Sequence, residues 1–498
     1  MKQHMVVQII TELKVIKKKL KNFEKQLVKE ASFVATTVAK ACMDKILYES
    51  RFDVVIVDEA SMLNVPQIVF AAGLAIKHFV CVGDFMQLPP IVGSDSDKNK
   101  PKDQPPSILN KDIYDFTGLR KLSLAKHYHK WLVLLPVQRR MNPGIATFIS
   151  QKIYKDLITS AENMKEKTAH ITALEPLPNK PMLIADTTGL LTANMHSRGG
   201  SYFNILSAFA AVSLAQKNAQ ECEVGIITPY ADQSRLINAI IRDINESIEE
   251  NYKYKIVCST VHSFQGSEQD IIIYDVPDCY TNQYPSVLIT NNENQMADRL
   301  FNVAMTRAKG KFINLLNYEY MNNHMSGATD KSKVSVQYFN QMNMVGNKID
   351  YKEIFSKEKD KPLSLLDEKD VNDLFFVDLK NAKEKITLFI TDDVKEDWEN
   401  IEPILIESNC NIELYFSENH TPKGIEKLLY KENIKIRKQY FALNPMTIID
   451  SSLVWYGKPY TNVDFISQSQ DCRVLYRPVF RFLGNNTAKK IIGLMNNV

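Results

Sequence analysis

The sequence predicts an α/β protein of about three domains: two parallel-sheet lobes and a smaller third α/β unit. Short β-branched runs at 33–37, 54–57 and 79–82 alternate with amphipathic stretches. A second such series follows at 182–185, 224–228, 256–259, 271–274 and 312–316. That alternation is the pattern of parallel strands covered by helices. A third set, at 387–390, 412–416, 447–449 and 453–456, follows a polar stretch rich in Asn, Ser and Lys. The expected division is a helix over 1–30, a first lobe over 31–135, a second over 136–330, a linker over 331–366 and a last α/β domain over 367–498.

The first segment reads as one helix. Ile9, Leu13, Ile16, Leu20, Phe23 and Leu27 recur at spacings of four and three, a heptad seam with lysines opposite. Such a seam packs on its own domain or on a helical partner. With 45% hydrophobic and 24% charged residues, the chain has the composition of a globular protein. A net charge of +3 decides nothing about partners. The seven cysteines form no CxxC pair, which fits free thiols in a reducing compartment rather than a disulfide framework or a zinc site. No apolar run of about 18 residues predicts a membrane span. The N-terminal apolar stretch is too short for a signal peptide, and the cytoplasm is the default location.

The strongest local signal is Val54-Val55-Ile56-Val57-Asp58-Glu59-Ala60-Ser61. A buried strand delivers two adjacent carboxylates to its C-terminal end, where open α/β sheets bind ligands. Asp58 suits a Mg²⁺ ion held through water, because that ion takes few protein oxygens. Glu59 suits a water-polarising base. A solvated Asp-Glu pair at a strand end is the plain alternative. Further on stands Gly83-Asp84-Phe85-Met86-Gln87-Leu88-Pro89-Pro90, where rigid prolines fix a glutamine that can donate to a phosphate oxygen while accepting from water.

These segments resemble motifs II and III of superfamily 1 helicases, in the branch containing the nonsense-mediated-decay helicase. The other motifs follow in order. Gln138-Arg139-Arg140-Met141-Asn142-Pro143 is similar to the family's Q-Y-R-M-H-P, with Arg139 for Tyr and Asn142 for His. Gly225 to Tyr230 with Gln233, Ser259 to Asp270, and Arg299 to Lys309 resemble the second-lobe motifs. The resemblance covers about residues 30–320 and implies two RecA-like P-loop NTPase lobes, the first incomplete. It implies ATP and Mg²⁺ as cofactors and single-stranded DNA or RNA as partner. Asp58, Glu59, Gln87, Arg140 and Arg307 become the catalytic residues, the two arginines meeting γ-phosphate charge. Gln138, Gly266 and Glu268 become cofactor-binding, Glu268 at the nucleotide sugar. Thr36, Thr228, Pro229, Thr260 and His262 fall on the nucleic-acid side. His262 has no metal partner at ligand spacing.

The phosphate-binding loop G-x-x-x-x-G-K-[ST] does not occur in the sequence. Gly310-Lys311 is followed by Phe312 and Gly457-Lys458 by Pro459. The expectation is a C-terminal fragment or split product, with residues 1–30 the tail of a helical insertion and the P-loop supplied by another polypeptide. In the last domain, Ile448-Ile449-Asp450 and Val454-Trp455-Tyr456-Gly457 resemble the core of a phospholipase D-like domain. Its nucleophile motif H-x-K-x(4)-D, aligned on Asp450, holds Leu443 and Pro445 where His and Lys belong. A degenerate, non-catalytic binding or dimerising module is expected there; an unrelated α/β domain is the alternative. For the whole chain, the competing class is a decayed, nucleotide-independent nucleic-acid-binding or scaffold protein.

Overall fold

The computed structural model describes residues 2–91, 108–127, 129–190, 192–280, 282–290, 295–327, 333–355, 363, 366, 368–390, 398–416, 425–428, 430–438, 445–459, 466–468, 474–476 and 478–496. The chain forms two compact units, Met1–Leu134 and Leu135–Val498.

The first unit opens with the expected single helix, α1 (Lys2–Glu30). Its heptad seam is exposed: Leu20 keeps 62% and Phe23 60% of their surface. The run 33–37 is not a strand. It is irregular chain leading to a short helix (Val38–Met43), whose extended N-cap Thr37 accepts from the Lys40 amide at 3.1 Å. A β-branched run with no neighbour to pair with is better used as an approach and a cap. Strands β1 (Phe52–Val57) and β2 (Ala75–Cys81) pair in parallel, joined by a helix (Val65–Ala72) with a capping box between Asn64 and Gln67.

The second unit holds two six-stranded sheets. One is wholly parallel. It comprises β3 (Met182–Asp186), β4 (Val224–Thr228), β5 (Ile256–Thr260), β6 (Gln269–Asp275), β7 (Ala308–Leu316) and β8 (Lys348–Ile349), in the order β8-β3-β7-β6-β4-β5. The stretch 331–366, expected as a linker, belongs in part to this lobe. A helix (Val334–Met344) leads to β8, which extends the sheet beside β3. Tyr338, fully buried, explains the anchoring: its hydroxyl donates to the Leu183 carbonyl at 2.8 Å.

The other sheet is mixed: β9 (Lys385–Phe389), β10 (Asn411–Phe416), β11 (Ile434–Lys438), β12 (Met446–Ile449), β13 (Leu453–Tyr456) and β14 (Phe480–Leu483), in the order β11-β10-β9-β12-β13-β14. Its two faces follow the period of two. Met446, Ile448, Val454, Tyr456, Phe480 and Phe482 join the core of the parallel lobe. Ile449, Leu453 and Trp455 pack on the other side with Val371, Phe375 and Ile401. Between the sheets lies a helix (Ile205–Gln216) in which residues 205–215 are all buried. A helix apolar around its circumference is one covered on every side. Phe209 on it lies 5.6 Å from the Phe480 ring and 6.0 Å from Tyr456. The expected separate last domain is thus continuous with the second lobe through one core.

Candidate nucleotide and nucleic-acid site

In the first unit, β1 and β2 end side by side. Val82 donates to the Val57 carbonyl at 2.8 Å, and Ala60 donates to the Val82 carbonyl at 2.9 Å. These two bonds bring the Asp58-Glu59 loop against the Gly83-to-Gln87 loop. Gly83 is required for that approach, since a Cβ there would stand 2.9 Å from the Ala60 nitrogen and 3.2 Å from the Tyr114 hydroxyl. Glu59 sits in the left-handed region at φ 51°, unusual for a residue with a side chain. The Asp58 carboxylate accepts from the Glu59 amide at 2.9 Å and holds that turn. Asp58 itself is exposed and Glu59 half-buried. Gln87 is buried, with its amide donating to Asp84 Oδ2 at 3.0 Å, while Asp84 Oδ1 accepts from the Met86 amide at 2.9 Å. Asp84 therefore aims Gln87, a role the sequence reading did not assign. The D-x-x-Q spacing was its visible signal. Thr36 lies elsewhere on this unit, exposed, its hydroxyl 3.5 Å from the Thr37 carbonyl.

In the second unit, a cluster forms at the N-terminal ends of β6 and β7. Arg140 Nε donates to Glu268 Oε2 at 2.5 Å, and its NH1 group donates to the Thr306 carbonyl at 3.3 Å. Both side chains of the pair remain about two-fifths exposed, 37% for Arg140 and 44% for Glu268. Gly266, at φ +85°, makes the turn before Glu268. Arg307 is brought to the same cluster but is 2% exposed. Its guanidinium donates to the Val303 carbonyl at 3.3 Å and the Ser267 carbonyl at 3.4 Å. It lies retracted rather than displayed.

Two expected assignments change. Gln138 was expected to bind the cofactor. Instead its Nε2 donates to the Met141 carbonyl at 2.9 Å and to Ser160 Oγ at 2.7 Å, and its Oε1 accepts from the Arg140 and Met141 amides at 2.9 and 2.7 Å. Two donors and two lone pairs are all engaged, so Gln138 shapes the loop that carries Arg140 and has nothing left for a ligand. Thr228 was expected on the nucleic-acid side, yet it is 0% exposed and ends β4 inside the lobe. Its neighbour Pro229 is half-buried, as are Thr260 and His262 at the end of β5. Burial lowers the His262 pKa, so the ring stays neutral near neutrality. Among the described residues, no cluster of three or more His, Cys, Asp or Glu suits a metal.

The C-terminal ends of β4 and β6 carry a buried polar network that the sequence reading missed. Asp275 accepts from Ser207 Oγ and, at 2.7 Å, from Gln233 Nε2. Burial pushes its pKa up to about 6. Asp278 accepts from the Tyr230 hydroxyl at 2.5 Å and the Ser286 amide at 2.9 Å, and burial raises its pKa as well. In the mixed sheet, Asp450 does not look outward for chemistry. It accepts from the Lys383, Glu384 and Lys385 amides at 2.8–3.2 Å, and those bonds hold its pKa below the usual carboxylate range despite partial burial. It is a clasp at the β12–β13 turn, where Asp450 and Ser451 both have φ near 50°.

Family models described as AAA domain match residues 118–318 and 3–95. A regulator of nonsense transcripts 1 homolog from Arabidopsis thaliana is 27% identical over 301 residues, 59% of this chain and 22% of that protein. A DNA polymerase alpha-associated DNA helicase A from Saccharomyces cerevisiae is 28% identical over 346 residues, 62% of this chain and 46% of that one. An arterivirus nonstructural protein 10 (helicase) solved in complex with DNA shares 14% identity, covering 56% of this chain and 43% of its own at a TM-score of 0.24. Over these residues the chain is similar to superfamily 1 helicases. It spans under half the length of these curated relatives. No helix among the described residues is long and apolar enough to cross a membrane.

Proposed function

We propose that this chain is part of a nucleic-acid-stimulated ATPase that moves along single-stranded DNA or RNA. The observation that carries the reading is the convergence of the Asp58-Glu59 and Asp84-Gln87 loops at the C-terminal ends of β1 and β2, where parallel sheets take ligands. An exposed carboxylate beside a second one fits a hard cation with few protein ligands. Asp58 would hold Mg²⁺ through water. Glu59 would accept a proton from the attacking water, and Gln87 would orient that water. Mg²⁺, when bound, supplies neutralising charge at the phosphates. Arg140 and Arg307 would donate to phosphate oxygens, which requires Arg140 to leave Glu268 and Arg307 to leave its carbonyls. Glu268, once released, would accept from the nucleotide sugar. The phosphate-binding lysine would come from another polypeptide segment, since none stands in a P-loop here. The mixed sheet would serve as a non-catalytic, phospholipase D-like binding module, its Asp450 spent on backbone amides.

A second reading, a nucleotide-independent nucleic-acid-binding protein, is favoured by Arg140 and Arg307 being engaged with Glu268 and with backbone carbonyls. The test is nucleic-acid-stimulated ATP hydrolysis by the tagged protein isolated from its host with whatever co-purifies. Glu59→Gln should lower kcat roughly 10²- to 10⁴-fold and spare ATP binding. Strand binding with no hydrolysis, or hydrolysis indifferent to Glu59, would favour the second reading.

A further inference from the structure

We infer that Tyr280 and Tyr284 form a base-stacking platform for single-stranded nucleic acid at the C-terminal edge of the parallel lobe. The inference rests on the nucleic-acid reading above and adds residues outside the motifs that suggested it. Tyr280 is 44% exposed and Tyr284 67% exposed. Their rings flank that of His324, at 6.4 and 6.2 Å. Beneath them Tyr320 is fully buried, 4.4 Å from the His324 ring and 5.3 Å from Tyr280. This base is fixed by hydrogen bonds. The Tyr320 hydroxyl donates to the Asn282 carbonyl at 3.1 Å, and His324 Nδ1 meets the Tyr320 carbonyl at 2.8 Å.

The loop that bears the two tyrosines is clasped at both ends. Asp278 and Ser286 both bond the Tyr230 hydroxyl, at 2.5 and 2.8 Å. Tyr230 directly follows Thr228-Pro229, so the platform is tied to the end of β4. On its other side Tyr230 meets the Tyr202 ring at 5.3 Å, next to exposed His196 at 4.9 Å from Tyr202. Arg198 stands exposed at the tip of that hairpin, a cation suited to a phosphate. Solvent-facing rings on a rigid base, with a cation on the neighbouring hairpin, are what unstacked bases need. Aromatic faces accept any base, and two-torsion side chains lose little entropy on binding. A groove for a peptide would instead ask for apolar walls.

The test is fluorescence anisotropy with the full chain, without nucleotide, using a 20-residue oligothymidine or oligouridine and an abasic strand of equal length. Tyr280→Ala/Tyr284→Ala should weaken binding to the base-bearing strands about 5- to 150-fold per stacked base. It should leave the abasic strand and the salt slope unchanged, because no phosphate contact is lost. The Tyr280→Phe/Tyr284→Phe variant should restore binding. Wild-type binding with an unaffected alanine variant overturns the platform and leaves the general reading standing, and so does equal loss on the abasic strand. No wild-type binding to any strand overturns the nucleic-acid reading itself.

Discussion

Replacing Asp243 with alanine should unfasten the mixed sheet from the parallel lobe. Asp243 lies on the helix Ala231–Glu246 of the lobe and is 7% exposed. Its carboxylate accepts four hydrogen bonds from the start of the C-terminal helix (Asn485–Met495): the Asn486 amide at 2.9 Å, Asn486 Nδ2 at 2.8 Å, the Thr487 amide at 2.7 Å and Thr487 Oγ1 at 2.6 Å. It caps that helix in place of a capping side chain, since the N-cap is Gly484. No other residue fits there, because a Cβ on Gly484 would lie 2.4 Å from Asp243 Oδ2. A lost cap costs about 1–2 kcal/mol, and the buried Thr487 amide and hydroxyl left unmet add about 1–3 kcal/mol more. The sum, about 2–5 kcal/mol, is a large fraction of the roughly 5–15 kcal/mol of a typical domain. Amide hydrogen exchange reads it locally. Residues 485–495 and β13 should exchange faster in Asp243→Ala by the factor that energy implies, and β4 should change less. Asp243→Asn should fall between. Equal exchange in β13 and β4, or a change below about 1 kcal/mol, would show that the shared core holds the sheet without this cap.

Two more outcomes follow from the same contacts. Gly83→Ala should cost about 1–3 kcal/mol, because the added Cβ meets backbone at Ala60 rather than a yielding side chain; a melting curve reads the loss, and the accompanying shift of Glu59 should cut nucleic-acid-stimulated hydrolysis at least about tenfold. Asp275→Asn should remove a pH dependence. With its pKa raised from 3.8 to about 6, Asp275 binds its proton more tightly in the folded state. The stability this contributes is full below about 3.8 and lost as pH rises through about 6, so near pH 7 the buried anion is a liability of up to about 3 kcal/mol. Asparagine can still accept from Gln233 and donate to Ser207, so the variant should be the more stable at pH 7 and lose that advantage by pH 4, as urea midpoints at the two pH values would record; a constant difference would refute the burial of charge.

The residues that were legible in the sequence are those whose role depends on local order. Asp58 and Glu59 end a strand because four β-branched residues precede them, and α1 is a helix because its apolar residues keep a period of three and four. Exposure was not legible, because it depends on what folds over a residue. Thr228 and Arg307 stand in motifs that suggest contact with ligands, yet one closes a strand inside the lobe and the other donates to the Val303 carbonyl of its own turn and to the distant Ser267 carbonyl. The engagement of Gln138 is illegible for a related reason: its four hydrogen bonds join positions 138, 140, 141 and 160, and the last is distant in sequence. The linker over 331–366 failed because a two-residue strand, β8, carries no periodicity to read.

The helix Ile205–Gln216 shows how far pattern alone reaches. Ile, Leu, Ala, Phe and Val spread around its circumference announce burial on all sides. They do not say that one side meets the parallel sheet and the other meets Phe480 and Tyr456 from a segment some 250 residues away. That shared core has a mechanical consequence. Phe209 and Asp243 join the mixed sheet to the parallel lobe within one compact unit, so the two move as one body. Under the proposed function, a ligand held by the mixed sheet would therefore be coupled to the parallel lobe through this shared core.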